Sequence, residues 1–504
     1  MFIFSILVLP IISILIMSIS KRDIVIKYVP ILITTLSLLI VFQFIGANDL
    51  INNSNFENLY VNFYTLVKSL DVNMSFEINR INVLFIFLSH ITIITAFFST
   101  IKVKSRLKQI NILISLISIG IYGLILSSNL FVFFLFYEIA AIPIFLMISN
   151  WGYDLKREIS GPFSKALNFF NVGSKNYGSY KITIYLFIAS LLIFIGIAII
   201  GSVSETFEIS SIIQRNNNIL NSSLVFFLFL IGFGTHSALW PFHTWAPDGH
   251  GTAPTAGSII FAGILMKIGL VGFIKILLPI MPEVTNLYAW LIISLASINI
   301  IYGAFTAMRQ DDLKFMAAYA SLSHIGYIFF ALMTSNISGI QGAIFQVISH
   351  GLIICLLFFC VGCIHKLKGT RSISELNSFL DNSPILAGFF IFCAFASIGF
   401  PLTSGFISEF LIINGIYKFY AASTYKIIMI MIPVLGILLT TVYMFRAIKN
   451  TCLNFSEKNL KFDDLSFDEI LICIVLCILI IFIGLFPDII QAIISNSYKG
   501  LIIF

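Results

Sequence analysis

The most informative stretch of this chain for its architecture is WPFHTWAPDGHGTAPTAGSIIFAGILMKIG, residues 240–269. It begins with turn-forming residues, including Pro241, Pro247 and Pro254, and continues into an apolar run that contains Lys267. Inside a membrane, irregular backbone persists only where protein or a water-filled cavity satisfies the freed peptide groups. The stretch therefore predicts a broken helix in the interior of a transporter-like protein.

The composition around this stretch is that of an integral membrane protein. Of the 504 residues, 59% are hydrophobic and 10% are charged, and the mean hydropathy is +1.02. An ordinary soluble domain has about 25% charged residues. These values exclude a soluble enzyme and a disordered chain, and the net charge of +6 is too small for this length to predict a nucleic-acid partner. Lipids are the expected surroundings.

Hydropathy predicts an all-α polytopic membrane protein with about fourteen transmembrane helices, since a spanning helix needs about 20 apolar residues. Two segments, 338–364 and 385–415, are too long for one straight span, so we expect breaks within them. Residues 47–80 and 151–181 are expected to form long loops. The predicted spans are 1–19, 24–46, 81–101, 109–126, 128–149, 182–202, 223–245, 256–278, 285–307, 313–333, 338–364, 385–415, 427–447 and 468–494.

The distribution of basic residues predicts the orientation of the chain. When loops are numbered by the span that they follow, the odd loops hold 21 of the 29 Lys and Arg residues. The even loops and the C-terminal segment hold 7. Positively charged loops stay on the inner side of a membrane. The odd loops are therefore predicted to lie inside, and both termini outside.

Six ionisable residues lie inside predicted spans, where each costs several kcal/mol unless it has a partner or a function. One membrane histidine alone is often only a helix–helix hydrogen-bonding group. The six, however, come from six different spans and mix carboxylates, imidazoles and an amine, which favours proton transfer through intervening water. An organic substrate would need a wide aromatic pocket, and a structural scaffold is the weakest alternative. The residues are Glu138, His236, Lys267, His324, His350 and Glu409.

His90, His365 and the cysteines are interpreted as structural or interfacial. His90 lies near the end of a predicted span, and His365 precedes a lysine at a helix end. The 7 Cys residues lie without the spacing of metal ligands or of a disulfide framework. Cys360 and Cys363 form a CxxC, but the surrounding run LLFFCVGC indicates packing rather than redox chemistry.

A second interruption occurs in SIGFPLTSGFISEF, residues 397–410, where Gly399, Pro401 and Gly405 precede Glu409. Paired interruptions are typical of transporters built from two inverted repeats. Spans 4–8 and 9–13 would form two five-helix repeats, with helices 7 and 12 broken. The predicted divisions are 1–108 with three helices and the 47–80 loop, 109–280 and 281–450 as the two repeats, and 451–504 with the last helix.

Several sequence motifs of this chain resemble those of one known family. Residues 240–269 closely resemble the signature of the antiporter-like subunits of respiratory NADH–quinone oxidoreductase, complex I. RQDDLKFMAAYASLSHIG at 309–326, ISHGLIICLLFFCVG at 348–362 and SIGFPLTSGFISEF resemble further motifs of that family in the same order. The similarity runs from about residue 80 to 493 and is far more specific than one motif alone.

The resemblance implies a proton-translocating subunit of NADH:ubiquinone oxidoreductase in the mitochondrial inner membrane. The 52 Phe residues, unusual even for a membrane protein, separately predict an AT-rich coding genome, as in many organelles. The positive loops would face the matrix, and both termini the intermembrane space. It implies no cofactor in this chain, with FMN, Fe-S clusters and ubiquinone held by partner subunits. The expected partners are other membrane-arm subunits, especially sister chains 2 and 5. The alternative is a subunit of a multi-subunit cation/proton antiporter.

By the same resemblance, Glu138 matches the family's fifth-helix glutamate and Lys267 the central lysine of its eighth helix. His324 and His350 match two histidines that continue the family's line of ionisable residues through the membrane. Glu409 matches the glutamate at the end of that line. The sister chains and the antiporters usually carry lysine at this last position. Glu409 therefore favours the remaining antiporter-like chain of the complex.

His236 departs from the family pattern, which has a lysine there that pairs with the fifth-helix glutamate. A histidine has a reference pKa of about 6.5, against about 10.4 for lysine. It can therefore be neutral where a lysine would stay charged. We expect His236 to replace the lysine as the titrating partner of Glu138; the other interpretation is that this half of the chain works differently.

Overall fold

The computed structural model describes residues 2–47, 58–67, 72–155, 171–215, 222–376, 383–453 and 464–497. In these ranges the chain is almost entirely helical, and 12 helices are long and apolar enough to cross a membrane. Two further apolar helices, Ser223–His236 and Pro384–Ser397, are shorter. The expectation of an all-helical polytopic membrane protein is confirmed, apart from one hairpin.

The hairpin lies between the second and third helices of the chain. Helix α1 spans Phe2–Ile19 and α2 spans Asp23–Ala47. They are followed by strand β1, Leu59–Val67, and strand β2, Val72–Ile78, which pair antiparallel. Residues 47–80, which were expected to form a loop between two spans, therefore contain a hairpin. Each segment is rich in β-branched and aromatic residues, a composition that fits a strand but is too short and polar to register as a span.

The first group of membrane helices follows the hairpin and ends with a long, irregular helix. Their bounds are α3 Arg80–Thr100, α4 Leu107–Leu126, α5 Leu130–Trp151, α6 Lys175–Ser204, α7 Ile209–Arg215, α8 Ser223–His236, α9 Trp245–Thr252 and α10 Thr255–Ile280.

The second group begins with a short helix and contains the longest helix of the chain. Their bounds are α11 Pro282–Leu287, α12 Ala289–Arg309, α13 Leu313–Leu332, α14 Ile337–Lys368, α15 Pro384–Ser397, α16 Ser404–Phe419, α17 Lys426–Ile448, α18 Phe467–Leu485 and α19 Pro487–Ser497.

Side-chain caps begin many of these helices at fixed residues. A cap oxygen accepts a hydrogen bond from a backbone N–H of the first turn, which has no partner inside the helix. The residues that cap in this way are Asn79 for α3, Asn129 for α5, Ser174 for α6, Asp312 for α13 and Asn336 for α14.

The helical chain is interrupted at the two Pro- and Gly-rich motifs. Helix α8 ends at His236 and α9 begins at Trp245, with Pro241 in the turn between them. Helix α15 ends at Ser397 and α16 begins at Ser404. The expected break within 338–364 is wrong, because α14 continues without interruption. That segment has glycines but no proline, and a glycine keeps the backbone N–H that a helix needs.

Four helices form the centre of the molecule. Helices α3, α10, α13 and α14 are buried along nearly their whole described length, whereas α1, α2, α17 and α18 expose much of their surface. The central helices pack against one another through α3 with α10 and α14, and α13 with α14. They bring Lys267, His324 and His350 into the interior.

Candidate proton-transfer site

Lys267 lies at the middle of α10, in a short α-helical segment between two π-helical turns, Phe261–Leu265 and Phe273–Leu277. π-turns in a helix often occur at functional sites because they shift backbone carbonyls out of register. Here the Lys267 ammonium donates a hydrogen bond to the carbonyl of Ala262, inside the first π-turn. The side chain is fully buried.

Two histidines continue from this lysine into the neighbouring helices. Lys267 Nζ lies 2.9 Å from His350 Nδ1, which α14 supplies. The His350 ring lies against His324 of α13, with ring centroids 5.0 Å apart. All three residues are buried. An amine and two imidazoles in contact can exchange a proton, because each has a protonated and a neutral form.

Gln346 extends the chain of polar contacts towards α16. Its Nε2 lies 3.1 Å from His324 Nδ1, and its Oε1 accepts a hydrogen bond from the Ser408 hydroxyl. Sequence reasoning missed both residues, because it searched the spans for ionisable groups only. A neutral amide inside an apolar run, one helical turn before His350, is the signal that would have found Gln346.

A small cavity joins the two histidines to Glu409. Its volume is about 10 Å³, which is on the order of the space that one water molecule needs. A water there would have enough polar neighbours to be stable. The cavity is lined by His324, Gln346, Ser349, His350, Ile353, Ala396, Ser397, Gly405 and Glu409.

Glu409 is positioned by the break between α15 and α16. The carboxylate is buried in the second turn of α16. Gly399, in the break, has a left-handed backbone with φ of 76°. A methyl group at Gly399 would overlap the Glu409 carboxylate, so the glycine provides both the turn and the space.

Glu138 and His236 lie apart from this group, on the other side of α10. No hydrogen bond joins them, since both ring nitrogens of His236 and Oε1 of Glu138 are without partners in the structure. Tyr137 packs against His236, with ring centroids 4.8 Å apart. Glu138 faces a crevice of about 100 Å³ between α5 and α6. Helix α10 approaches this half through Gly269, which lies against Ser237.

The remaining histidines have mixed surroundings. His90 contacts the Ile86 carbonyl and the Ser37 hydroxyl at 2.8 Å each and stacks on Tyr122, as expected of a structural residue. His365 packs against Tyr153 at the end of α14. Among the residues that the structure describes, no group of three or more His, Cys, Asp or Glu side chains could hold a metal ion.

Comparison with known proteins agrees with this architecture. The family described as NADH:quinone oxidoreductase/Mrp antiporter matches residues 127–440. NADH-quinone oxidoreductase subunit M of Rickettsia conorii is 33% identical over 96% of this chain and 94% of the relative. NADH-ubiquinone oxidoreductase chain 4 of Acanthamoeba castellanii is 31% identical over 81% of this chain and 78% of the relative.

Solved structures show the same fold at lower identity. A chain of respiratory complex I from Thermus thermophilus matches with a TM-score of 0.82 and 21% identity, over 99% of this chain and 100% of that chain. A chain of the Mrp complex from Dietzia sp. matches with a TM-score of 0.81 and 16% identity, over 99% of both chains.

The chain therefore belongs to the NADH:quinone oxidoreductase/Mrp antiporter family of membrane subunits. Within that family it corresponds to the group of complex I subunit M and chain 4, which confirms the expectation from Glu409.

Proposed function

We propose that this chain moves protons across the membrane as one pumping module of NADH:quinone oxidoreductase. The observation that carries the proposal is the 2.9 Å contact between Lys267 and His350 inside the membrane. The contact continues to His324 and, across a cavity the size of one water, to Glu409. Buried ionisable groups in spanning helices mark ion pathways, and a connected series of them fits a proton relay.

Lys267 is the switch of this relay. It holds a proton while neighbouring charge is negative and releases it to His350 when that charge moves away. His350 and His324 pass the proton on, and Glu409 delivers it to the next subunit or to the outer compartment. Moving one charge through 100 mV involves about 2.3 kcal/mol. Changes of one or two pKa units, about 1.4 kcal/mol each, are therefore large enough to gate transfer.

Glu138 and His236 form a second, coupled pair near the middle of the membrane. Their separation in this structure, with Tyr137 beside His236, requires water or a side-chain movement for a proton to pass between them. The crevice beside Glu138 has room for several waters. His236 takes the place that a lysine occupies in the family. The residues that interrupt the helices at the two breaks are Pro241, Pro247, Pro254, Gly399, Pro401 and Gly405.

The chain crosses the membrane fourteen times as two inverted five-helix repeats, residues 109–280 and 281–450, between an N-terminal unit of 1–108 and a C-terminal helix in 451–504. Supporting this, α8 and α15 are both short apolar helices that end at a break and are followed by a second short helix. The membrane is the mitochondrial inner membrane, with the positive loops in the matrix and the termini in the intermembrane space.

The redox chemistry takes place in partner subunits, which hold FMN, the Fe-S clusters and ubiquinone. The neighbours in the membrane arm include sister chains 2 and 5, with lipids around the exposed helices. The apolar surfaces of α1, α2 and α17 are suited to such contacts.

A native gel of solubilised membranes, stained for NADH oxidation, tests the assignment to the complex. Peptides of this chain are expected in the NADH-oxidising band, at several hundred kilodaltons or more. If they run instead in a smaller band without that activity, and the membranes show sodium-dependent proton flux, the chain is a cation/proton antiporter subunit and the proposal fails.

A further inference from the structure

A large cavity opens on the face of the molecule where the positive loops lie. Its volume is about 440 Å³, and it lies where the ends of α3, α5, α10, α14 and α18 meet. Its wall is polar for a membrane protein, although it touches none of the six ionisable residues discussed above. The polar groups that line it include Ser99, Lys102, Tyr153, Thr255, Lys366 and Glu469.

Three charged residues lie at the opening of this cavity, which we call the vestibule. Glu469 accepts hydrogen bonds from Lys102 at 2.9 Å and from Lys366 at 2.6 Å. Its carboxylate side chain is 9% exposed, against 40% and 42% for the two lysines. Burial alone would lower the pKa of Lys102. Hydrogen bonds with Lys366 and Glu469, together with the negative charge of Glu469, raise this pKa above its usual value. Lys102 therefore stays charged beside the Glu469 carboxylate.

A row of hydroxyl groups leads from the vestibule into the protein along α3. Ser99 lines the cavity. Thr95 and Thr92 follow at spacings of four and three residues, which places all three on one face of the helix, and both threonines are fully buried. The distance along the helix from Ser99 to Thr92 is about 10 Å at 1.5 Å per residue.

The row ends next to Lys267. Thr92 Oγ1 lies 3.6 Å from the thiol of Cys355 on α14, and Cys355 is close enough to Lys267 for the two to interact electrostatically. Gly263, in the first π-turn of α10, lies opposite this pair. A side chain there would press on both Thr92 and Cys355, so the glycine keeps the seam between the three helices open.

From this arrangement we infer that the vestibule is a proton-uptake entrance that supplies Lys267 from the positive face, over Ser99, Thr95, Thr92 and Cys355. The inference rests on the proposed pumping function. Each hydroxyl, and the Cys355 thiol after them, accepts one proton and releases another through a neighbouring water, so that its own protonation does not change. The neutral Lys267 amine takes the delivered proton and becomes an ammonium. The Lys102–Glu469–Lys366 triad sets the charge at the mouth.

A structural interpretation of the same hydroxyls must be tested against this one. Each of them donates to a carbonyl of its own helix: Thr92 to Leu88, Thr95 to Ile91 and Ser99 to Ala96. Such bonds satisfy a buried hydroxyl without any transport role. A structural threonine tolerates valine of nearly the same shape, whereas a relaying one does not.

Cysteine labelling tests whether water reaches the entrance. In membrane vesicles that contain the assembled complex, Ser99→Cys is treated from the positive face with a membrane-impermeant methanethiosulfonate. Because the thiolate is the reactive form, a cysteine reacts only where it is solvated. Ser99→Cys is expected to be modified, as read by mass spectrometry, and Thr285→Cys, buried outside this route, is not. An unmodified Ser99→Cys overturns the entrance.

Proton translocation tests the route. Thr92→Val and Cys355→Val are expected to lower proton translocation per assembled complex at least several-fold. Thr92→Ser, which keeps the hydroxyl, and Thr285→Val, which lies outside the route, are expected to keep wild-type translocation. Wild-type translocation in both valine variants overturns the route. If Lys267→Met also pumps normally, the proposed function itself fails. If Lys267→Met is inactive and the valine variants are active, only the route fails.

Discussion

Gly399 is expected to control the position of Glu409. Its left-handed φ of 76° disfavours any residue with a side chain, by about 1–2 kcal/mol. A methyl group there would also overlap the Glu409 carboxylate. We predict that Gly399→Ala lowers proton translocation several-fold and lowers the thermal stability of the complex, as measured in proteoliposomes and by thermal unfolding.

Gly388→Ala is the matched control for this variant. Gly388 lies in α15, the helix that ends at the break. A methyl group there would meet no other atom within 4 Å. In a helix, alanine is favoured over glycine by about 1 kcal/mol, so this variant is expected to pump normally. Equal behaviour of the two variants would show that Gly399 has no special role.

Gln346 is expected to couple His324 to the segment that carries Glu409. Gln346→Leu leaves His324 Nδ1 without its partner and removes the contact with Ser408, whose hydroxyl keeps only the Gly405 carbonyl. An unsatisfied buried polar group costs about 1–3 kcal/mol, so we predict slower proton translocation at normal assembly. Gln310→Leu, at the end of α12, is the control. Unchanged translocation in Gln346→Leu would remove this residue from the relay.

The six ionisable residues could be predicted from sequence because charge in an apolar span is conspicuous. How they group could not. Lys267 meets His350 beside a π-turn of α10, and no pattern of residue types marks such a turn. Likewise, Tyr137 packs against the His236 ring, a contact that only the folded chain determines.

The cap of α14 is expected to stabilise the longest helix of the chain. Asn336 accepts from Gly339 N–H at 3.0 Å, and its amide donates to the carbonyls of Thr334 and Gly415. It therefore ties α14 to α16. We predict that Asn336→Ala lowers stability by about 1–2 kcal/mol, seen as a lower unfolding temperature of the assembled complex.

Ser222→Ala is the control for the cap. Ser222 occupies the same position before α8, but its side chain makes no capping hydrogen bond. Its replacement is expected to leave the unfolding temperature unchanged. If Asn336→Ala is equally silent, the hydrogen bonds of Asn336 do not contribute to stability.

Helix ends and breaks could be predicted from sequence where a residue type acts directly on the backbone. Proline removes an N–H, and glycine allows a left-handed turn, so both interruptions were predictable. The continuity of α14 was not, because its glycines serve close packing: Gly342 lies against Ile412 and Gly351 against Leu88. The hairpin was missed because a 20-residue hydropathy window averages out two short strands.

The positive-inside pattern predicts which surface of the whole molecule faces the inner side of the membrane. Lys104 lies in the turn after α3, and Tyr64 is exposed on β1. We predict that Lys104→Cys reacts with an impermeant thiol reagent only from the inner side of the membrane, and Tyr64→Cys only from the other side. Labelling of both from the same side would contradict the orientation.

The overall arrangement was predictable in outline and not in its core. Composition indicates an all-helical polytopic membrane protein, and the charge of the loops predicts which way it faces. They do not indicate which helices are central, because α10 and α2 have comparable hydropathy yet α10 is almost wholly buried and α2 is not. That difference arises from packing partners, and it places the ionisable residues inside.

Proton translocation by Lys267→Met tests the relay most directly. Methionine fills a similar volume without a titratable group, so the variant removes the proton carrier and leaves the packing of α10. Lys275→Met is the control, since Lys275 lies on the same helix and donates to the Ile125 carbonyl, outside the relay. Both variants are reconstituted as assembled complexes, and proton translocation driven by NADH oxidation is measured in proteoliposomes. The relay predicts that Lys267→Met abolishes translocation while Lys275→Met retains it; normal translocation in an assembled Lys267→Met complex would contradict it.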